Sequence, residues 1–427
     1  MFKTFANAWR IIEIRKKILF TLFIILLYRV GNAVPVPFVN VAYLQEYFRS
    51  LENTVLGLYN VMSGGAFSQA TIFALSIQPY INSSIIIQLL CVAIPALERL
   101  SKEGGEEGRK KIASITRYAT VGIALLQGFA YYMLIKTNNL LTPDGIGIWA
   151  AIVIIATFCA GSALIMWLGE QITEFGIGNG ISIILFASIV SRFPSSIIAT
   201  ISGVSGGTVA WWAAALTFLG AIAIIILIVF VNDAERRIPV QYSKRVVGRK
   251  MYGGQSTHLP MKVNMSGVMP IIFAQSIATL PGTLVQLFGW KGSFAQYISS
   301  QKTWTFVIIY ALLIVFFGYF YSTIQFNPIE ISNNLRKNGG FIPGYRPGKP
   351  TSEFIQKVLN KITLFGSLYL CIIAAAPYIV SMYSNTASSL GISLGGTSII
   401  IVVGVALETV QALESQMLMR HYKGFLE

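Results

Sequence analysis

The sequence predicts an all-α polytopic membrane protein with ten transmembrane helices, and three observations carry that prediction. Hydrophobic residues make up 54% of the 427-residue chain and charged residues 11%, against roughly 25% charged in ordinary soluble domains. Apolar stretches recur at about 20 residues, the length that crosses about 30 Å of hydrocarbon at about 1.5 Å per helical residue. Lys and Arg concentrate in alternate connections, as the retention of basic loops on one side of a membrane requires. The net charge of +15 is therefore first a statement about orientation, and only then about partners.

The first span, 18–36, follows a tail carrying Lys3, Arg10, Arg15, Lys16 and Lys17. It is expected to stay in place rather than be cleaved as a leader, because Arg29 interrupts it and it ends at Pro35 and Pro37 without a small-residue cleavage site. Arg29 either snorkels to headgroups or contacts the external segment that follows. That segment, TVLGLYNVMSGGAFSQ from Thr54 to Gln69, is too broken by glycine for a span and too apolar for a solvated loop. Two readings fit it: a re-entrant element enclosed by protein, or an interfacial helix on the outer surface.

The second span, 71–94, mixes polar and aliphatic residues. Gln78, Asn82, Ser83 and Ser84 lie at hydrophobic depth, where they need partners or water. Ile77, Ile81 and Ile85 fall at i, i+4 and i+8, a single helical stripe that ordinary helix packing would also produce. The remaining spans are expected at 113–135, 149–169, 181–200, 209–231, 266–288, 304–325, 362–380 and 393–413. Ten spans put both termini on one side. The connections on that side hold Arg99 to Lys111, Arg236 to Lys262 and Arg336 to Lys361, whereas the other face has little beyond Arg49, Lys136, Arg192, Lys291 and Lys302. Basic residues on the inside make the termini cytoplasmic.

Two of these basic connections, 232–265 and 326–361, are longer than helical hairpins need. Basic loops set topology in any polytopic protein, but these intersperse Arg and Lys with Gly, Pro and Tyr. Charge on a shaped loop fits RNA phosphates or an acidic protein face.

Catalytic and metal chemistry find little support. Gly203 to Gly207 satisfy GxSxG in a short external loop with no preceding strand, and GYRPGKPT from Gly344 has the wrong glycine spacing for a phosphate loop. His258 and His421 are the only histidines, and Cys91, Cys159 and Cys371 sit singly in apolar windows. No metal, cofactor or enzymatic activity is expected. Ion-coupled transport would leave carboxylates inside the spans, yet Glu170, Glu174 and Glu408 lie at span ends. A secondary transporter of small solutes is the rival reading, and an intramembrane enzyme is a weaker one.

Long strings carry a resemblance that no short motif could. MSGGAFSQATIFALSIQPYINSSIIIQLL, GEQITEFGIGNGISI, QSTHLPMKVNMSGVMPIIFA, FNPIEISNNLRKNGGFIPGYRPG and GGTSIIIVVGVALE make the chain closely resemble the SecY family, the pore subunit of the bacterial Sec translocation channel. The resemblance implies two inverted five-helix halves, 1–200 and 201–427, around an hourglass pore. It implies a waist ring of Ile77, Ile81, Ile181, Leu185, Ile272 and Ile401, with Leu185 standing where isoleucine is found elsewhere. It implies an external plug over about 55–70, including Leu58, Tyr59, Asn60, Met62, Ser63, Gly64, Gly65 and Phe67. A lateral gate would use Gln88 on the second span and Gln275 with Ser276 on the seventh. Arg249, Lys250, Arg336, Lys337 and Arg346 would dock the SecA motor ATPase or ribosomal RNA. SecE-like and SecG-like subunits, signal sequences, nascent polypeptides and membrane lipid are the further partners implied. The bacterial inner membrane is the location implied.

Overall fold

The computed structural model describes residues 8–50, 55–102, 104–145, 147–207, 210–242, 245–247, 250–252, 256–265, 267–287, 292, 303–383 and 396–423. The chain begins with α1 (Ile12–Gly31), then a short helix α2 (Val41–Ser50) and α3 (Val55–Met62), which lies within the stretch read above as re-entrant or interfacial. A kinked pair follows, α4 (Gln78–Ala93) and α5 (Pro95–Lys102), then α6 (Gly105–Thr137), α7 (Ile148–Phe175), α8 (Gly180–Val190) and α9 (Phe193–Ser205). The second half runs α10 (Trp211–Asp233), strands β1 (Glu235–Tyr242), β2 (Arg245–Val247), β3 (Lys250–Tyr252) and β4 (Ser256–Lys262), and α11 (Met269–Leu287). It closes with α12 (Trp304–Gln325), α13 (Pro328–Lys337), β5 (Gly340–Phe341), α14 (Lys349–Tyr383) and α15 (Gly396–Lys423).

Seven helical stretches among the described residues are long and apolar enough to cross a membrane, or eight if α4 and α5 count as one span bent by 105°. The bend falls at Pro95, which cannot donate into the preceding turn. Helices α1 and α11 occupy the first and seventh expected positions but are not among those seven. The chain is thus a helical multi-pass membrane protein, and every expected span position holds a helix.

Three expectations are corrected in detail. The second span starts at Gln78, because residues 71–77 form turns that end on Ser76 in the left-handed region (φ +52), after which Pro79 opens the helix. The fifth is two helices separated at Ser191 and Arg192, with Pro194 opening the second. The two long basic connections are partly β-structure: β1 pairs antiparallel with β4 from Glu235↔Lys262 to Gln241↔Ser256, and with β5 at Gln241↔Phe341. Ile238, Val240 and Met261 face Ile342, Ile355 and Leu359 in a small core of their own. The two long basic loops are therefore one folded unit built on the start of α14.

Close helix packing is set by glycine where backbone meets backbone. A Cβ on Gly161 of α7 would lie 1.9 Å from the Ile72 carbonyl oxygen, and one on Gly180 would lie 1.9 Å from that of Gly169. Any larger residue would push α7 off the 71–77 turns or off α8.

Candidate functional site

The largest buried cluster joins the two halves. Ile77, Ile81, Leu185, Ile272 and Ile401 all belong to it, each no more than 3% exposed, and half-buried Ile181 packs against it. The six come from α4 and its N-cap, α8, α11 and α15. Met62, at the end of α3, belongs to the same cluster. Ile77 caps α4, and its carbonyl accepts from the Ile81 amide at 3.1 Å, so the stripe with Ile85 is kept.

The segment from Val55 to Ala70 is enclosed by protein. Leu56, Asn60, Met62, Ser63 and Phe67 are buried, which favours the re-entrant reading over a helix on the outer surface. The side chain of Leu58 lies outside the described part. Its turn is held from within: the Asn60 carbonyl accepts from Gly65 N (2.8 Å), Asn60 Oδ1 accepts from Ser68 N (3.0 Å), and Ser63 Oγ accepts from Phe67 N (3.0 Å). Gly64 adopts φ +69, and a Cβ there would sit 2.9 Å from the Ser188 carbonyl and 3.2 Å from Arg29 Nη1. The Arg29 guanidinium thus lies beside this element, the second of the two readings open for it.

External contacts tie the segment to α6 and to both sides of the interhelical seam. The Tyr131 hydroxyl donates to the Phe67 carbonyl, and their rings stack 4.3 Å apart. Gln78 Nε2 donates to Met62 Sδ at 3.0 Å. The Tyr59 hydroxyl is in hydrogen-bonding range of Asn82 on α4 and of Thr279 and Thr283 on α11. One side chain of this segment therefore reaches both α4 and α11.

Along the seam, α11 packs against α4 and α6. Gln275 and Ser276 are buried, and Gln275 Oε1 and Ser276 Oγ have no hydrogen-bond partner among the described residues, as is also true of Gln78 Oε1 and Gln127 Oε1. Gln88 accepts from the Tyr321 hydroxyl of α12 and donates to Ser84 Oγ at 3.1 Å. Thr279, Thr283, Tyr131 and Tyr321 are participants that the sequence reading missed, whereas Asn82 was marked there only as a polar residue at hydrophobic depth. For two of them a signal existed: Gln275, Thr279 and Thr283 form a polar i, i+4, i+8 row in an apolar helix.

Arg336 and Lys337 are exposed in the last turn of α13, and Arg346 is exposed on the following loop, where its carbonyl accepts from Thr351 Oγ1 at 2.8 Å. Ser332 Oγ donates to the Gly348 carbonyl (2.8 Å), and Tyr345 meets Phe354 with ring centroids 4.2 Å apart. The loop is thus pinned at both ends. Lys250 lies on β3, and Arg249 falls outside the described residues. Among the described residues no group of His, Cys, Asp and Glu could hold a metal.

A family model described as SecY matches residues 71–410. Protein translocase subunit SecY of Streptomyces galbus is 45% identical, with all of both chains covered. The subunit of the same name from Corynebacterium glutamicum is 42% identical over 99% of each. A solved protein conducting channel superposes with a TM-score of 0.64 at 17% identity, covering 94% of this chain and 92% of that one.

Proposed function

The chain belongs to the SecY family of non-enzymatic channel subunits that move polypeptides across a membrane, and from that premise we propose how its residues divide the work. Ile77, Ile81, Ile181, Leu185, Ile272 and Ile401 form the waist of an hourglass pore between two inverted five-span halves, 1–200 and 201–427. The observation that carries this reading is the single apolar cluster in which residues from both halves meet Met62 of the enclosed segment. Aliphatic side chains offer no fixed charge to trap a passing residue, and a narrow apolar constriction resists ions and water. A charged residue would cost about 2.5–3.5 kcal/mol in lipid, which an aqueous funnel on each side removes.

The segment 55–70 is the plug. Its buried turn rests on the waist through Met62 and on the first half through Tyr131 and Ser188. The lateral gate runs between α4 and α6 on one side and α11 and α12 on the other, with Gln88, Gln275 and Ser276 on its faces. Unpaired buried polar atoms cost about 1–3 kcal/mol each, so the closed seam is only lightly held, and a signal sequence or lipid that parts it relieves that cost.

Exposed Arg336, Lys337 and Arg346, with Arg249 and Lys250, dock the SecA motor or ribosomal RNA, which supply the driving force. SecE-like and SecG-like subunits complete the channel. Both termini face the cytoplasm of the bacterial inner membrane, a reading that the basic connections support.

Site-specific photo-crosslinking tests this arrangement. Probes at Ile81 and Ile401 should capture a secretory precursor stalled during SecA-driven transport into vesicles, and only when its signal sequence is intact. Transport without capture at either position would move the path away from this ring.

A further inference from the structure

A polar cavity of about 340 Å³ lies apart from the waist, plug and seam, where α10, the β4–α11 connection, α12 and α15 converge on the turn before α8. Asn179, Asn232, Lys262, Asn264, Glu408 and Gln411 give it its chemistry. Two glycines open the space. Gly267 adopts φ +61, and a Cβ there would fall 2.5 Å from Glu408 Oε1. A Cβ on Gly404 would fall 2.3 Å from Val268 Cγ1. The Val268 amide donates to the Glu408 carboxylate, which also faces Lys262.

The amides of this cavity are each half used. Asn179 Oδ1 accepts from the Ile181 amide at 3.1 Å, Asn232 Oδ1 accepts from Asn264 Nδ2 at 2.9 Å, and Gln411 Oε1 accepts from Lys262 Nζ at 2.7 Å. A primary amide carries two N–H donors and a carbonyl with two lone pairs. Among the described residues the amino groups of Asn179, Asn232 and Gln411 and the carbonyl of Asn264 have no hydrogen-bond partner, which leaves them to serve a ligand. Lys262 and Glu408 offset one another, so the lining has no net charge with which to select an anion or a cation. Neutral groups that offer donors and acceptors together match the main chain of a peptide, and the volume sits at the lower end of the roughly 300–1,000 Å³ of small-ligand sites.

Its position gives that chemistry a use. Glu408 is seven residues beyond Ile401 on α15, about 10 Å at about 1.5 Å per residue. Val268 is four residues before Ile272, and Asn179 is two before Ile181. Three of the elements that carry the waist thus extend to the same cavity.

We propose that this cavity is a substrate subsite that holds a short extended segment of the passing polypeptide by its main-chain N–H and C=O groups, without regard to side chains, just before the waist. The inference rests on the waist assigned above. The waist offers no hydrogen bonds to a peptide, so this cavity supplies the contact that every sequence shares.

The test uses the complete reconstituted channel, with Cys91, Cys159 and Cys371 replaced by serine and a single reporter, Met265→Cys, on the cavity wall. Leu407→Cys serves as a second reporter should the first fail to assemble. Acetyl-triglycine methylamide should slow maleimide alkylation of the reporter about threefold or more. Its N-methylated counterpart, which has lost the N–H donors, should protect far less. Asn232→Leu should abolish the protection and raise the half-saturating precursor concentration about threefold to tenfold, alike for precursors of different composition. Equal protection by the two peptides, or none, overturns the subsite. An Ile81 photo-probe in the same vesicles separates the outcomes: capture there without protection at the cavity removes only the subsite, whereas loss of capture removes the waist beneath it.

Discussion

The proposed waist and the proposed gate seam are both buried between early and late helices of the chain, yet they are built on opposite principles. At the proposed waist every side chain is aliphatic, and all but half-buried Ile181 are nearly fully buried. Along the proposed seam, Gln275 and Ser276 carry buried oxygens without partners among the described residues. Apolar contact is non-directional, so a waist made from it can close around many shapes. Polar groups held dry are directional and costly when unpaired, so the seam has a standing reason to open. On the proposed reading, one region seals without recognising anything, and the other is poised to answer a signal.

Making the waist resemble the seam should have the largest effect. Ile81→Lys places an unpaired charge in the apolar cluster, costing several kcal/mol. The expected result is a channel that conducts ions at rest, read as a rise of tenfold or more in vesicle ion leak. Next is Gly64→Val, where both φ +69 and the Ser188 carbonyl oppose a side chain. About 1–3 kcal/mol of strain should unseat the plug and raise resting leak severalfold while transport continues.

Making the seam resemble the waist should act in the other direction. Gln275→Leu removes an unpaired buried oxygen and stabilises the closed state by about 1–3 kcal/mol. Weakly hydrophobic signal sequences should then lose transport about tenfold, with strong ones little changed; equal loss for both would separate Gln275 from the gate. The smallest effect is expected from Tyr59→Phe, which withdraws one hydroxyl shared by Asn82, Thr279 and Thr283. At about 0.5–1.5 kcal/mol, defective signal sequences should gain transport by a few fold, and single-channel recording should show more frequent brief openings.

How much of this was legible in the sequence depended on the range of the interaction. Spans are local statements about apolar length, and helices stand at all ten expected positions. The break at Ser191 and Arg192 was masked because both flanking helices are apolar, and only Pro194 marked it. Strand β1 was hidden by composition: Glu235, Arg236 and Arg237 read as solvated loop, while the alternation that buries Ile238 and Val240 spans only a few residues. The waist isoleucines look like any packing stripe, and the family strings alone singled them out. Tyr321 could not be paired with Gln88 across 233 positions, since nothing in either neighbourhood encodes the other. The six residues of the polar cavity are spread from Asn179 to Gln411, and although Lys262 and Glu408 were noted singly, their meeting with the other four escaped notice for the same reason.

The turns that follow the proposed plug would govern how it returns to its seat. Val36 N donates to the Ala70 carbonyl at 2.9 Å and Ile72 N to the Val34 carbonyl at 3.0 Å, with Pro35 bridged to Thr71. These bonds moor the far end of the segment to the chain just after α1, a few residues from Phe67. A stopper on so short a leash stays at an effective concentration of about millimolar or above at its own binding site. Reclosure is then a first-order event with its own rate constant. Its speed is independent of how many channels a membrane holds, and the gap behind a departing polypeptide is shut by the same molecule that let it through.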